Sequence, residues 1–194
     1  MNSNQSLISD DLEVELSFRG FIPEHIKDNI DEETRIILTS LDSWSFVFNR
    51  WIHFIRNDAS LICPQIIRTN NIFSLGLLLT DDLSITKLNK QWRRKDMPTD
   101  VLSFAALDGD FKPLLDNCVE LGDIIVSVDT ALKQSKVQQH SLSDELRWLV
   151  SHGFLHLLGW DHPSPSKLDK MLNVQEQLLK VNEKAAFTKG ISID

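Results

Sequence analysis

His152-Gly153-Phe154-Leu155-His156-Leu157-Leu158-Gly159-Trp160-Asp161-His162 sets the terms for the rest of the chain. Two histidines four apart on a helix share a face, with Cβ atoms about 5–6 Å apart, so both imidazoles reach one metal ion. Gly159 is placed to be the left-handed residue that ends the helix, after which the chain turns back and brings His162 to the same point. Three neutral nitrogen donors with an open fourth position form a catalytic zinc arrangement, whereas a structural zinc is normally closed by four ligands, usually including cysteines. A lone histidine on an apolar helix is more often a core residue bonded to a carbonyl. Here the helix, its stop and the third ligand agree, and H-x-x-x-H-x-x-G-x-x-H is a specific spacing. Ser143 reads as the N-cap, and Leu146, Leu149, Val150, Phe154, Leu155, Leu157 and Leu158 leave almost no polar face after Arg147. A helix apolar all round is buried, and a metal satisfies one nitrogen of each buried imidazole.

Upstream of this helix lie an expected strand over 120–128 and a helix over 130–139 capped by Asp129. His140, in the turn between them and the metal helix, is assigned no role. Residues 107–119 read as a loop, punctuated by Gly109 and Pro113, and 101–105 as a strand. The polar turn before it, Lys95-Asp96-Met97-Pro98-Thr99-Asp100, follows a helix that starts at Asp81 or Asp82 and ends near Arg94. That helix carries Lys87, Lys90, Arg93 and Arg94, and with Lys95 they form the strongest positive cluster of the chain. A charge run is usually a solvated face, but this one meets a strand end, where sites collect. The nearly all-apolar run 72–80 reads as a central strand.

Residues 57–71 read as a connection broken by Pro64, and 32–56 as one long helix with a broad apolar face that includes Trp44, Phe48 and Trp51. His53 on that helix has no metal-type residue one turn away and reads as a packing or surface histidine. Before it lie a linker over 21–31 with a short helix after Pro23, and a strand in which Leu12, Val14, Leu16 and Phe18 alternate with polar residues up to Gly20. The expected architecture is α+β: one domain over 12–184, with a mixed sheet of about four strands packed with helices. Residues 1–11 read as a disordered lead-in, 166–184 as an amphipathic closing helix and 185–194 as a fraying tail. The order of the strands is not readable.

The chain has 194 residues, 42% of them hydrophobic and 25% charged, which is ordinary for a soluble globular domain. A net charge of −8 argues against indiscriminate nucleic-acid binding, DNA included, so an RNA contact needs a local basic patch. Cys63 and Cys118 stand in no C-x-x-C pattern, which fits a reducing cytoplasm. No basic segment followed by an apolar run marks a signal peptide, and no apolar stretch is long enough for a membrane.

The segment H-G-F-L-H-L-L-G-W-D-H at 152–162 resembles the H-G-x-L-H-L-x-G-Y-D-H signature of the YbeY proteins, metal-dependent endoribonucleases of ribosomal-RNA maturation. A second block resembles the family independently: Leu88-Asn89 through Trp92-Arg93, then Lys95 to Phe104, with Leu121-Gly122-Asp123-Ile124 as the strand before the metal helix. Together these cover residues 72–162. The resemblance implies one divalent ion, zinc above others, on His152, His156 and His162, with Arg93 as the functional arginine beside the substrate. It implies a single-strand-specific endoribonuclease that matures the 3′ end of small-subunit ribosomal RNA and takes part in ribosome quality control. The implied partners are precursor ribosomal RNA, the small subunit, ribosomal proteins and an assembly GTPase. Trp92 and Trp160 stand where the family usually has tyrosine, and Ala105 where it has proline, while the first 60 or so residues lie outside the motifs.

The chemistry of the residues runs beside this. Zinc on three histidines lowers the pKa of coordinated water to about 7 and polarises a phosphoryl oxygen. Arg93 offers a planar fork to the charge that develops on phosphorus oxygens. Lys90, Arg94 and Lys95 are suited to flanking phosphates, and Trp92 to a base, although a tryptophan is more often core. A general base is missing from the usual place: where H-E-x-x-H proteases carry glutamate, this chain has Gly153. Asp161, Asp123 or the substrate itself are left for that role. Two other readings compete. One is a zinc peptidase, from the metzincin-like spacing. The other is a non-enzymatic ribosome-assembly factor with a structural metal.

Overall fold

The computed structural model describes residues 12–107 and 118–189, with 182–189 as backbone alone. The expected disordered lead-in, most of the expected loop and residues 190–194 lie outside the described residues. Four strands form the sheet: β1 (Glu13–Arg19), β2 (Ile72–Thr80), β3 (Val101–Ala105) and β4 (Cys118–Ser127). Their order is β1-β2-β4-β3, with β1, β2 and β4 parallel and β3 antiparallel to β4. The sheet is therefore mixed, as expected, and its alternating strand β1 takes an edge while the apolar β2 runs through the interior.

The helices are α1 (Glu32–Thr39), α2 (Leu41–Asn57), α3 (Gln65–Thr69), α4 (Asp82–Arg93), α5 (Val128–Gln138), α6 (Leu142–Leu157) and α7 (Pro165–Lys189). Where one long helix was expected over 32–56, the chain breaks at Ser40. Its backbone is extended and its Oγ accepts from Ser43 N at 3.1 Å, so one serine ends α1 and caps α2. Within the expected connection, Pro64 introduces α3 rather than merely breaking the chain. β4 starts two residues before the expected strand, at Cys118.

Helix caps differ from expectation in two places, for the same reason. Ser127 caps α5 through Thr130 N, while the Asp129 carboxylate accepts from Asp82 N. Ser141, not Ser143, caps α6 through Asp144 N at 3.0 Å. In each case several suitable side chains stand together, and the position of the first helical turn selects among them. His140, expected to be idle, is bonded to the buried Glu145 carboxylate in the first turn of α6. Helix α7 continues to Lys189, beyond the expected end at 184.

α6 packs on β3 and β4 beside α2, which packs on β1, and α7 lies against both helices; Trp44, Phe48, Trp51 and Phe154 meet ring to ring in this core. Gly153 sets the closeness of α6 to the sheet, since a Cβ there would stand 2.8 Å from Ile124 Cγ2 and 3.0 Å from Ser103 Oγ. α4 packs on the opposite face, through Ile85 against Leu102 and Ile125. A bulge in β4 fixes which side chains face each way. Leu121 is the extra residue between the pairs Ser74–Glu120 and Leu75–Gly122, and Gly122 has φ +116°. Beyond the bulge Ile124 and Val126 face α6, whereas Asp123 and Ile125 face the other side.

Candidate metal centre

Helix geometry assembles the centre. His152 and His156 project from one face of α6, and the helix then ends in a Schellman turn: Gly159 N donates to His156 O and Trp160 N to Leu155 O, both at 3.0 Å. Gly159, at φ +82°, is the left-handed residue that the turn requires. The reversed chain returns His162 to the other two histidines. Ligand atoms of the three lie within 4.8 Å of one another, and all three residues are half-buried. The sequence expectation of helix, stop and return thus matches the geometry.

The outward nitrogens are engaged. His156 Nδ1 bonds to Trp160 O at 2.8 Å, and His152 Nδ1 to Gln175 Oε1 at 3.3 Å. Gln175 is fully buried on α7 and donates to Trp148 O at 2.8 Å, which fixes its carbonyl oxygen toward the histidine. With Nδ1–H donating in both rings, each Nε2 keeps its lone pair for a ligand, and the two Nε2 atoms stand 3.1 Å apart. Burial, and next the neighbouring His156, lower the His152 pKa; burial lowers that of His156, against the bond to Trp160. Both imidazoles are held neutral, the form that binds metal. Donor type, convergence and the fixed tautomers all fit a divalent ion.

Around the centre the proposed site residues divide. Arg93, the last residue of α4, is exposed and close enough to His156 to disfavour its protonation. Arg94 follows in left-handed conformation at φ 59°. Arg94 and Lys95 are exposed, and like Arg93 they form no ion pair among the described residues, while Lys90 is paired with Asp96. Trp92 is not core: it is 62% exposed and sets its edge against Phe104. Asp161 is exposed beside the histidines, where it favours His156 protonation, and its Oδ1 accepts from His162 N. Asp123 is on the sheet face opposite α6 and is not brought to the histidines. His53 is exposed beside Asn57.

Two neighbours were missed in the sequence. Asp100, whose carboxylate accepts from Gln134 Nε2 and Val101 N, lies near enough to favour His152 protonation. Gln175 left a signal: it is a polar residue in register with the apolar Met171, Val174 and Leu178. Trp160, in the family's tyrosine position, is nearly buried, and its indole N–H donates to Ile62 O at 3.0 Å, so this position keeps a donor.

Residues 29–183 match the family model described as Endoribonuclease YbeY. A curated Endoribonuclease YbeY of Prochlorococcus marinus strain SARG is 53% identical over 179 residues, 92% of each chain. That of Synechococcus sp. strain CC9902 is 55% identical over 138 residues, covering 71% of this chain and 77% of the relative. These matches extend into the first 60 or so residues that the motifs left uncovered. In fold, the chain is similar to the solution structure of TM1509 from Thermotoga maritima, with TM-score 0.53 and 18% identity over 91% of this chain and 94% of that one.

Proposed function

Since the chain belongs to the YbeY family of endoribonucleases, we propose that it is a metal-dependent endoribonuclease that cleaves single-stranded RNA late in ribosomal-RNA processing, at the 3′ end of the small-subunit RNA, and serves ribosome quality control. The observation that carries this reading is the convergence of three imidazoles, two with their outward nitrogens already bonded, beside an unpaired arginine. His152, His156 and His162 would hold the ion, most plainly zinc given all-nitrogen donors. When bound, such an ion supplies Lewis acidity that activates water and draws charge from a phosphoryl oxygen. Arg93 holds the scissile phosphate and stabilises the charge that grows on its oxygens. Arg94, Lys95 and Lys90 hold flanking phosphates, and Trp92 stacks a base. Asp161, exposed and near His156, would take a proton from water; the alternative acceptor is the substrate phosphate. No helix among the described residues is long and apolar enough to cross a membrane. The proposed setting is the cytoplasm, with precursor ribosomal RNA, the small subunit, ribosomal proteins and an assembly GTPase as partners.

Gly153 counts against a peptidase. A side chain there would run into Ile124 and Ser103 of the sheet, so the position does not serve the site as a protease glutamate does. The nuclease reading is tested with His156→Ala and Arg93→Ala. The first is expected to lose metal and cleavage together. The second is expected to keep its metal and lose cleavage by about 10²–10³-fold, as when a transition-state donor is removed. Normal 3′ ends in cells whose protein has lost its metal would favour the assembly-factor reading instead.

A further inference from the structure

Asp123 has no place in the chemistry above, yet its setting is a built one. The sheet face that α6 does not cover holds a groove of about 510 Å³. Across its floor run Ser17, Gly76, Asp123 and Phe104, each paired with the next across the four strands. Gly76 decides where the carboxylate lies, because a Cβ there would collide with Asp123 Oδ1. The Asp123 carboxylate therefore rests over the neighbouring strand in room left by the glycine, with no hydrogen bond or ion pair among the described residues. One wall is aromatic: Trp92 meets the Phe104 ring at 5.6 Å and 65°. Arg19, the last residue of β1, also lines the groove and has no ion pair among the described residues.

We propose that this groove is a subsite for one unpaired guanine of the RNA strand, a specificity element of the endoribonuclease on whose reading it rests. Phosphate does not suit it. Asp123 repels phosphate, and the next row across the sheet, Glu15, Ser74 and Glu120, adds two further carboxylates. The strand's backbone thus stays on the Arg93 side and a base enters past Trp92, the residue before Arg93. Trp92 and Phe104 offer ring surface to any base, because stacking tolerates every sequence. The choice falls to Asp123. An ionised carboxylate is acceptor-only, and guanine sets two donors, N1–H and N2–H, side by side for it. Adenine and cytosine place a ring acceptor against it, and uracil flanks its single donor with two carbonyl oxygens. The other edge of guanine, O6 and N7, is the pair of acceptors that arginine recognises, which is the complement of Arg19.

Nucleosides carry no scissile phosphate, so titrating guanosine, adenosine, cytidine and uridine into the isotope-labelled full chain reads the groove without reading cleavage. Guanosine is expected to shift the Trp92 indole and the amides of residues 76, 104 and 123, and to bind about tenfold more tightly than the others. Asp123→Asn presents one acceptor and one donor, which no longer matches two donors side by side but can pair with an edge of any of the four bases, so the preference for guanosine should be lost. Gly76→Ala is easily held in a strand but takes the carboxylate's room, and should weaken guanosine about tenfold with bound metal unchanged. Equal binding of all four nucleosides, no binding, or shifts elsewhere would overturn the proposal. So would an Asp123→Asn chain with unaltered nucleoside binding that no longer associates with a small-subunit protein, since the groove would then be a protein-docking face. Cleavage of a single-stranded RNA is followed in parallel. Guanosine binding without cleavage removes the nuclease reading, and cleavage without guanosine selectivity removes the subsite.

Discussion

Gly159 has no packing role: a Cβ on it would meet nothing within 4 Å, and its φ of +82° is the whole requirement. Gly159→Ala is accordingly expected to cost about 1–2 kcal/mol, the strain of a left-handed residue with a side chain, and to weaken metal binding because His162 follows it. Thermal melting and metal titration check both, and Gly159→Asn should be milder. The residue was legible in the sequence because a helix stop is local chemistry. Gln175 showed in the sequence only as a polar residue among apolar ones; its partner could not be read, since it acts on His152 from another helix. The lowered pKa values of His152 and His156 make a second prediction. The folded imidazoles gain protons only below their ordinary value of 6.5, so metal affinity is level at neutral pH and falls as pH drops through that lowered range. The unfolded chain protonates first, so the stability of the metal-free protein also falls below 6.5. Affinity that rises on acidification would contradict both statements.

The connection from α4 to β3 is held from inside. Asn89, 2% exposed, donates from Nδ2 to Met97 O at 2.8 Å, and Lys95 N closes on Asn89 O. Asn89→Leu leaves a carbonyl without its partner and should cost about 1–3 kcal/mol. Amide hydrogen exchange over residues 94–100 should quicken, and RNA cleavage should drop while bound metal stays constant. Most elements could be read in advance, because the periodicity of β1, the apolar run of β2 and the amphipathic α2 are properties of contiguous residues. The face taken by Asp123 could not. Strict alternation from Val119 and Leu121 turns Asp123 toward the core, and the bulge that reverses it depends on pairing between β4 and β2. The break at Ser40 was hidden for a related reason: serine is tolerated inside a helix, and its capping geometry appears once α1 and α2 diverge.

Taken whole, the molecule is acidic, with a net charge of −8, and concentrates free cations at the end of α4. RNA affinity should therefore fall with salt along a slope set by these few residues. Arg94→Ala or Lys95→Ala is expected to lower the slope of log affinity against log salt by about 0.7, the single-strand value for one phosphate contact. Lys90→Ala should change it less, because Asp96 already partners that lysine. Fluorescence anisotropy across a salt series measures this. The strand order, unreadable in the sequence, bears on how the chain is made. β1 pairs with β2 alone, and α1, α2 and α3 lie between them in the chain. During synthesis from the N-terminus β1 must wait for its neighbour, with α2 at hand to shelter its apolar side, since Asn49 donates to Leu12 O at 2.8 Å. All four strands precede α6 in the chain. A chain that stops short of His162 thus lacks the full set of histidines, and every strand is made before the capacity to cut RNA.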